Sequence, residues 1–123
     1  MDSPSDRQSL AHEASMYERL DGTGITPQFV GHVVNEDGSA IGFLIEYIPQ
    51  DENERLNRQA MQACLEVLRH LHGQGLAHGD PHDGNCLLRV DRTAVLIDFE
   101  LAQEAAPAGE LVRDERIMDS LNS

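Results

Sequence analysis

The residues of this sequence best suited to chemistry are Asp80, Asn85 and Asp98. The first two form a D-x₄-N pattern on a loop dense in Asp, His and Gly (79–84). The third closes the apolar run 94–97. Carboxylate and amide oxygens are hard donors of the kind Mg²⁺ takes, and Mg²⁺ fills the rest of its shell with waters and phosphate oxygens. The D-x₄-N spacing places acid and amide on one compact loop, and a hairpin between Asn85 and Asp98 returns the second acid towards them. Zinc is the competing chemistry, because His78-x-Asp80-x-His82-Asp83 supplies imidazoles and carboxylates at short spacing. A dinuclear hydrolase needs further ligands downstream, and no His follows His82.

The elements that must position these residues are legible in the periodicity. Residues 1–9 are polar and read as a frayed end. Leu10, Ala14, Tyr17 and Leu20 then share one helical face, and Asp21-Gly22 and Gly24 end that helix. Glu13 falls between Tyr17 and Leu20 on the apolar stripe, where an acid requires a partner or a shifted pKa. Extended runs at 28–34 and 41–48, separated by a turn-rich loop at 35–39, predict a hairpin closed by Pro49. After a polar connector at 50–54, a wide apolar face predicts a core helix over 56–72, ended by Gly73 and Gly75. His70 and His72 read as helix-end residues favoured by the dipole. Runs at 86–90 and 94–97 predict a second short hairpin, and Leu111, Met118 and Leu121 suggest one weak helix in the tail.

The 123 residues, 40% hydrophobic and 25% charged, support one domain with a modest core. The net charge of −13 argues against a nucleic-acid or anionic-membrane surface. No apolar run approaches the roughly 18 residues of a membrane span, and the N-terminus lacks the apolar stretch of a signal peptide. The expectation is a cytoplasmic protein whose Cys64 and Cys86 are buried free thiols in a reducing compartment. All nine basic residues are Arg, and there is no Lys.

From Leu71 the chain reads LHGQGLAHGDPHDGNCLL, and LIDFE follows. These segments resemble the catalytic loop and metal-binding segment of the protein-kinase-like superfamily, in the same order of helix, loop, hairpin and acid. The resemblance implies an α+β fold, a truncated kinase-like domain. Residues 1–48 would be a remnant N-lobe of helix and hairpin, and 49–123 a remnant C-lobe of core helix, catalytic loop and hairpin. It implies an ATP- and Mg²⁺-dependent transfer of a phosphoryl group to a hydroxyl acceptor, protein or small molecule. Such transfer needs an oriented hydroxyl and cations to offset phosphate charge. Asp80 would orient or accept the hydroxyl proton, and Asn85 and Asp98 would hold the metal. Glu13, in HEASMYERL, is similar to the helix glutamate that pairs a phosphate-binding lysine. Ile45 would be the gatekeeper of an adenine pocket, Glu46 and Ile48 would offer backbone hydrogen bonds, and Leu87 would pack on the adenine face.

The sequence departs from that pattern in ways that bear on activity. Only nine residues precede the first helix, where the family carries a glycine-rich phosphate loop and a strand with the lysine. Gly22-x-Gly24 follows the helix and lacks a third glycine. Gly79 replaces the arginine usual in protein kinases, His82 stands where they carry a lysine, and Glu100 replaces the glycine of the DFG segment. HGDxHxxN with IDFE is closer to aminoglycoside and choline kinases and to divergent kinase-like families of fungi. Phosphate loop and lysine supply much of the electrostatic stabilisation. Their absence makes an inactive pseudokinase-like binding or scaffold module the alternative, and a protein partner completing the fold an expectation.

Overall fold

The computed structural model describes residues 4–50 and 58–120. The chain is an α+β assembly of three helices and three two-stranded antiparallel sheets. Helix α1 (Pro4–Leu20) begins well before the apolar stripe, so the helix takes up most of the segment expected to fray. Met16, Tyr17 and Leu20 are buried on its inner side. Thr23 terminates α1, its hydroxyl and its N–H both donating to the Leu20 carbonyl, which is one of the acceptors left open at a helix C-terminus.

Strands β1 (Phe29–Val34) and β2 (Ala40–Ile45) pair from Val34↔Ala40 to Phe29↔Ile45, with irregularities after Phe29 and after Val33. The turn is built by Asn35, whose side-chain oxygen accepts the N–H groups of Asp37 and Ser39, while Gly38 supplies a positive φ of 87°. β2 stops at Ile45, three residues earlier than the apolar run suggests. Residues 46–50 instead cross over to the second half of the chain.

Helix α2 (Arg58–Gly73) is the axis of the core and buries Met61, Cys64, Val67, Leu68 and Leu71 at helical spacing. Leu56 and the 51–54 connector lie outside the described residues. Strand β3 (Leu76–Ala77), which the hydrophobic pattern does not reveal, pairs with β6 (Gln103–Glu104). Strands β4 (Cys86–Leu88) and β5 (Ala94–Leu96) form the expected second hairpin. α3 (Ala108–Ser120) is a full helix packed against α2 and β3, with Asp114 and Met118 buried.

The cysteines correct the expectation of free thiols, because Cys64 of α2 and Cys86 of β4 are joined in a disulfide. Their 22-residue separation gave no sequence signal. They meet because β4 lies against the inward face of α2, where both side chains are buried.

One core cluster runs through the molecule, from Met16, Tyr17 and Leu20 of α1 to Leu68 and Leu71 of α2, Leu96, Phe99 and Met118. Among the described residues no helix is long and apolar enough to cross a membrane.

Candidate functional site

The 78–85 loop is held from three sides. His78 is fully buried, with its ring against Phe99. Its Nδ1 accepts the Asp80 N–H at 3.1 Å, so Nε2 carries the proton and donates to the Ile97 carbonyl at 2.8 Å. Burial pushes this imidazole below its ordinary pKa, although the Ile97 carbonyl and the surrounding carboxylates oppose the shift. Neutral His78 thus ties the residue before Asp98 to the backbone of Asp80. Both ring nitrogens are committed to backbone partners, which does not suit a metal ligand.

Asp114 of α3 is the second anchor. One carboxylate oxygen accepts the His78 N–H at 2.6 Å and His72 Nε2 at 2.9 Å, and the other accepts the Gly79 N–H at 2.9 Å. Burial would raise its pKa, but hydrogen bonds from His72, Gly79 and His78 together hold it below the ordinary value. His72 is therefore an interior partner of Asp114, and not a helix-end residue acting only on the dipole. Gly79 is sterically required. Its φ is +94°, and a Cβ there would stand 2.5 Å from the Leu101 carbonyl oxygen.

The third anchor is Asn85, nearly buried at 5% exposure. Its Nδ2 donates to the Asp80 carbonyl at 2.9 Å, and its own backbone carbonyl accepts the Ile97 N–H at 3.0 Å. His82 Nδ1 lies 3.1 Å from the Gly84 N–H, and its Nε2 stands 3.1 Å from Asn85 Nδ2 and 3.6 Å from the Asp80 carboxylate. With Nδ2 turned onto the loop, Oδ1 of Asn85 is the amide atom left to meet a ligand. Asp98 follows directly after Ile97, and its N–H donates to the phenol oxygen of Tyr17 at 3.0 Å. Asp98 adopts φ +66°, a left-handed conformation uncommon for a residue with a side chain. Asn85 is thus bonded both to the Asp80 backbone and to Ile97, the residue before Asp98. The amide oxygen of Asn85 and the carboxylate of Asp98 are hard donors, which fit Mg²⁺ better than a soft or imidazole-seeking metal.

Glu13 is half-buried on α1 near this group. Burial first, then the charges of Asp98 and Glu100, push its carboxyl above the ordinary range, while the Phe99 N–H and the nearby His12 oppose the shift. Among the described ion pairs none involves Glu13.

The remaining candidates lie along the crossing segment. Ile45 is half-buried at the end of β2, and Ile48 is buried. The Glu46 N–H donates to the Gln28 carbonyl at 2.8 Å, which leaves its carbonyl as the backbone group to offer a ligand. Its carboxylate is bound in a fork by Arg89 at 2.6 and 2.9 Å and accepts the Gln28 N–H, which draws its pKa down to about 2. Gln50 lies beside β4, accepting the Leu88 N–H and donating to the Leu88 carbonyl. These contacts bind segment 46–50 to the strand that carries Leu87, itself half-buried and paired with Val95. Sequence reasoning missed Asp114, Arg89 and Gln50. Asp114 sits in a helix whose acidic residues look alike in sequence, and the other two act only across long sequence separations.

The model of the phosphotransferase enzyme family matches residues 50–113. The matched span is more than half of the chain and contains α2, the 78–85 loop, the β4–β5 hairpin and Asp98. By this match, over the segment whose loop and hairpin have just been traced, the chain belongs to the phosphotransferase enzyme family, a group of kinase-like phosphotransferases.

Proposed function

We propose that this chain is the core of an ATP- and Mg²⁺-dependent phosphotransferase acting on a hydroxyl group, protein-borne or small. The observation that carries the reading is the double bond set of Asn85. Its amide nitrogen and its backbone carbonyl join the Asp80 loop to the strand end bearing Asp98, leaving Oδ1 for a cation. In this reading Asp80 orients the acceptor hydroxyl and takes its proton, with the His82 ring beside the carboxylate. Asn85 Oδ1 and the Asp98 carboxylate hold Mg²⁺, which when bound offsets the negative charge of the phosphates. Ile45 and Leu87 flank adenine as gatekeeper and floor, with the Glu46 carbonyl and the Ile48 N–H as its backbone partners. The lobes divide near residue 48.

A second reading, a pseudokinase-like binding or scaffold module, is favoured by one observation. The charges of Asp98 and Glu100 act on Glu13, none of the described ion pairs involves it, and the sequence has no Lys. A protein partner that brings a cation to Glu13 would complete the site. Thermal-shift titration with Mg·ATP separates the readings. The first expects the melting temperature to rise by several degrees at saturation and the rise to vanish in Asp98→Ala. A shift that persists unchanged without Mg²⁺, or no shift at all, sinks it in favour of the second.

A further inference from the structure

The oxygen of Tyr17 is out of place in its surroundings. The side chain is 2% exposed, its ring meets Phe99 edge-on at 5.3 Å, and it is tilted against Phe43 at 5.3 Å. Phenylalanine would fill this cluster as well. A hydroxyl taken into an apolar interior is unfavourable unless it is bonded. Its one described hydrogen bond is to the N–H of Asp98, at 3.0 Å across 81 residues of sequence.

We propose that Tyr17 is a positioning residue, whose phenol oxygen holds the Asp98 peptide in its left-handed conformation and so sets the direction of the Asp98 carboxylate. This inference rests on reading Asp98 as a cation ligand. A side chain at φ +66° is strained and persists only where its surroundings hold it. The restraint comes from α1, where Tyr17 takes the Asp98 N–H, so one rigid element distant in sequence holds this peptide group. The device puts Asp98 under the control of helix α1: whatever moves the helix reorients the acid.

The test is Tyr17→Phe in the full chain, with Phe43→Leu as a control that loosens the same aromatic cluster but leaves the hydrogen bond intact. Two quantities are read: hydrogen exchange of the assigned Asp98 amide without ligand, and the Mg²⁺ concentration giving half of the ATP-induced thermal shift. Tyr17→Phe is expected to speed Asp98 exchange by about tenfold and to raise the Mg²⁺ midpoint by roughly three- to tenfold, as befits one lost buried hydrogen bond. ATP binding without Mg²⁺ stays unchanged. Phe43→Leu is expected to lower the melting temperature without moving the Mg²⁺ midpoint. Unchanged Asp98 exchange in Tyr17→Phe overturns the proposal, as does faster exchange with the same midpoint, or a midpoint that moves equally in Phe43→Leu. A wild-type chain with no Mg²⁺-dependent shift fails the phosphotransferase reading, and overturns the functional half of this one. The exchange arm still reports by itself whether Tyr17 holds the peptide.

Discussion

Asp114 shows how one side chain can organise a loop that it does not belong to. Its two oxygens satisfy two successive loop N–H groups and His72, all in the interior. Removing the acceptor leaves those donors unpaired, and each buried orphan costs about 1–3 kcal/mol. Asp114→Ala should therefore destabilise the chain by about 3 kcal/mol in urea unfolding, with Asp80 displaced along with the loop. A loss below about 1 kcal/mol would show that water substitutes for the carboxylate. The folded-state pKa of Asp114 lies below its ordinary 3.8. Its charge thus contributes stability that is fully present above about pH 4 and is lost as pH falls through the folded value. Asp114→Asn should flatten that part of the acid-unfolding profile, and a slope identical to wild type would contradict the assignment.

At the scale of elements, α2 is the frame on which the site hangs. It packs on β5 and α3, and the Cys64–Cys86 bond ties it to the residue after Asn85. A cross-link spanning 22 residues restricts the unfolded chain by roughly 3 kcal/mol in the chain-entropy account. Reduction should lower the melting temperature clearly, and a Cys64→Ala/Cys86→Ala double variant should melt at the same temperature with and without reductant. Equal melting of the oxidised and reduced wild type would show that the core holds β4 without the bond. The 46–50 segment is fastened differently, by the Arg89–Glu46 fork and the Gln50–Leu88 pair. These are partly exposed contacts, adding orientation more than stability.

Across the whole molecule the excess of acid governs the electrostatics. A net −13 on 123 residues repels itself, and the described ion pairs are mostly exposed. Salt screens this repulsion, with a Debye length falling from about 30 Å at 0.01 M to about 8 Å at 0.15 M. The melting temperature should accordingly rise between those ionic strengths. A fall would mean that the few ion pairs outweigh the repulsion. The same acidity concentrates at the site, where Glu13, Asp98 and Glu100 lie close enough to raise the Glu13 pKa. A bound cation would relieve that repulsion, consistent with the proposed role of Mg²⁺.

Local sequence determined a good deal. Apolar spacing placed the end of α1, helix α2 and both main hairpins to within a few residues, because periodicity reports directly which side of an element is buried. The LHxxGxxHxD…N and IDF segments identified the superfamily, because short loops that must present polar atoms at fixed spacing tolerate few alternatives. What lay beyond reach depended on partners distant in sequence. The disulfide, the Asp114 anchor, the His72 role, the β3–β6 pair and the Tyr17–Asp98 bond join residues 22 to 81 positions apart. No local pattern encodes such pairs; they exist because tertiary packing brings polar groups into an interior where each must find a partner. Asp80, Asn85 and Asp98 stood out as candidates from the sequence. That a backbone hydrogen bond at Ile97, a buried histidine and a tyrosine on the first helix hold them together was decided only by the fold.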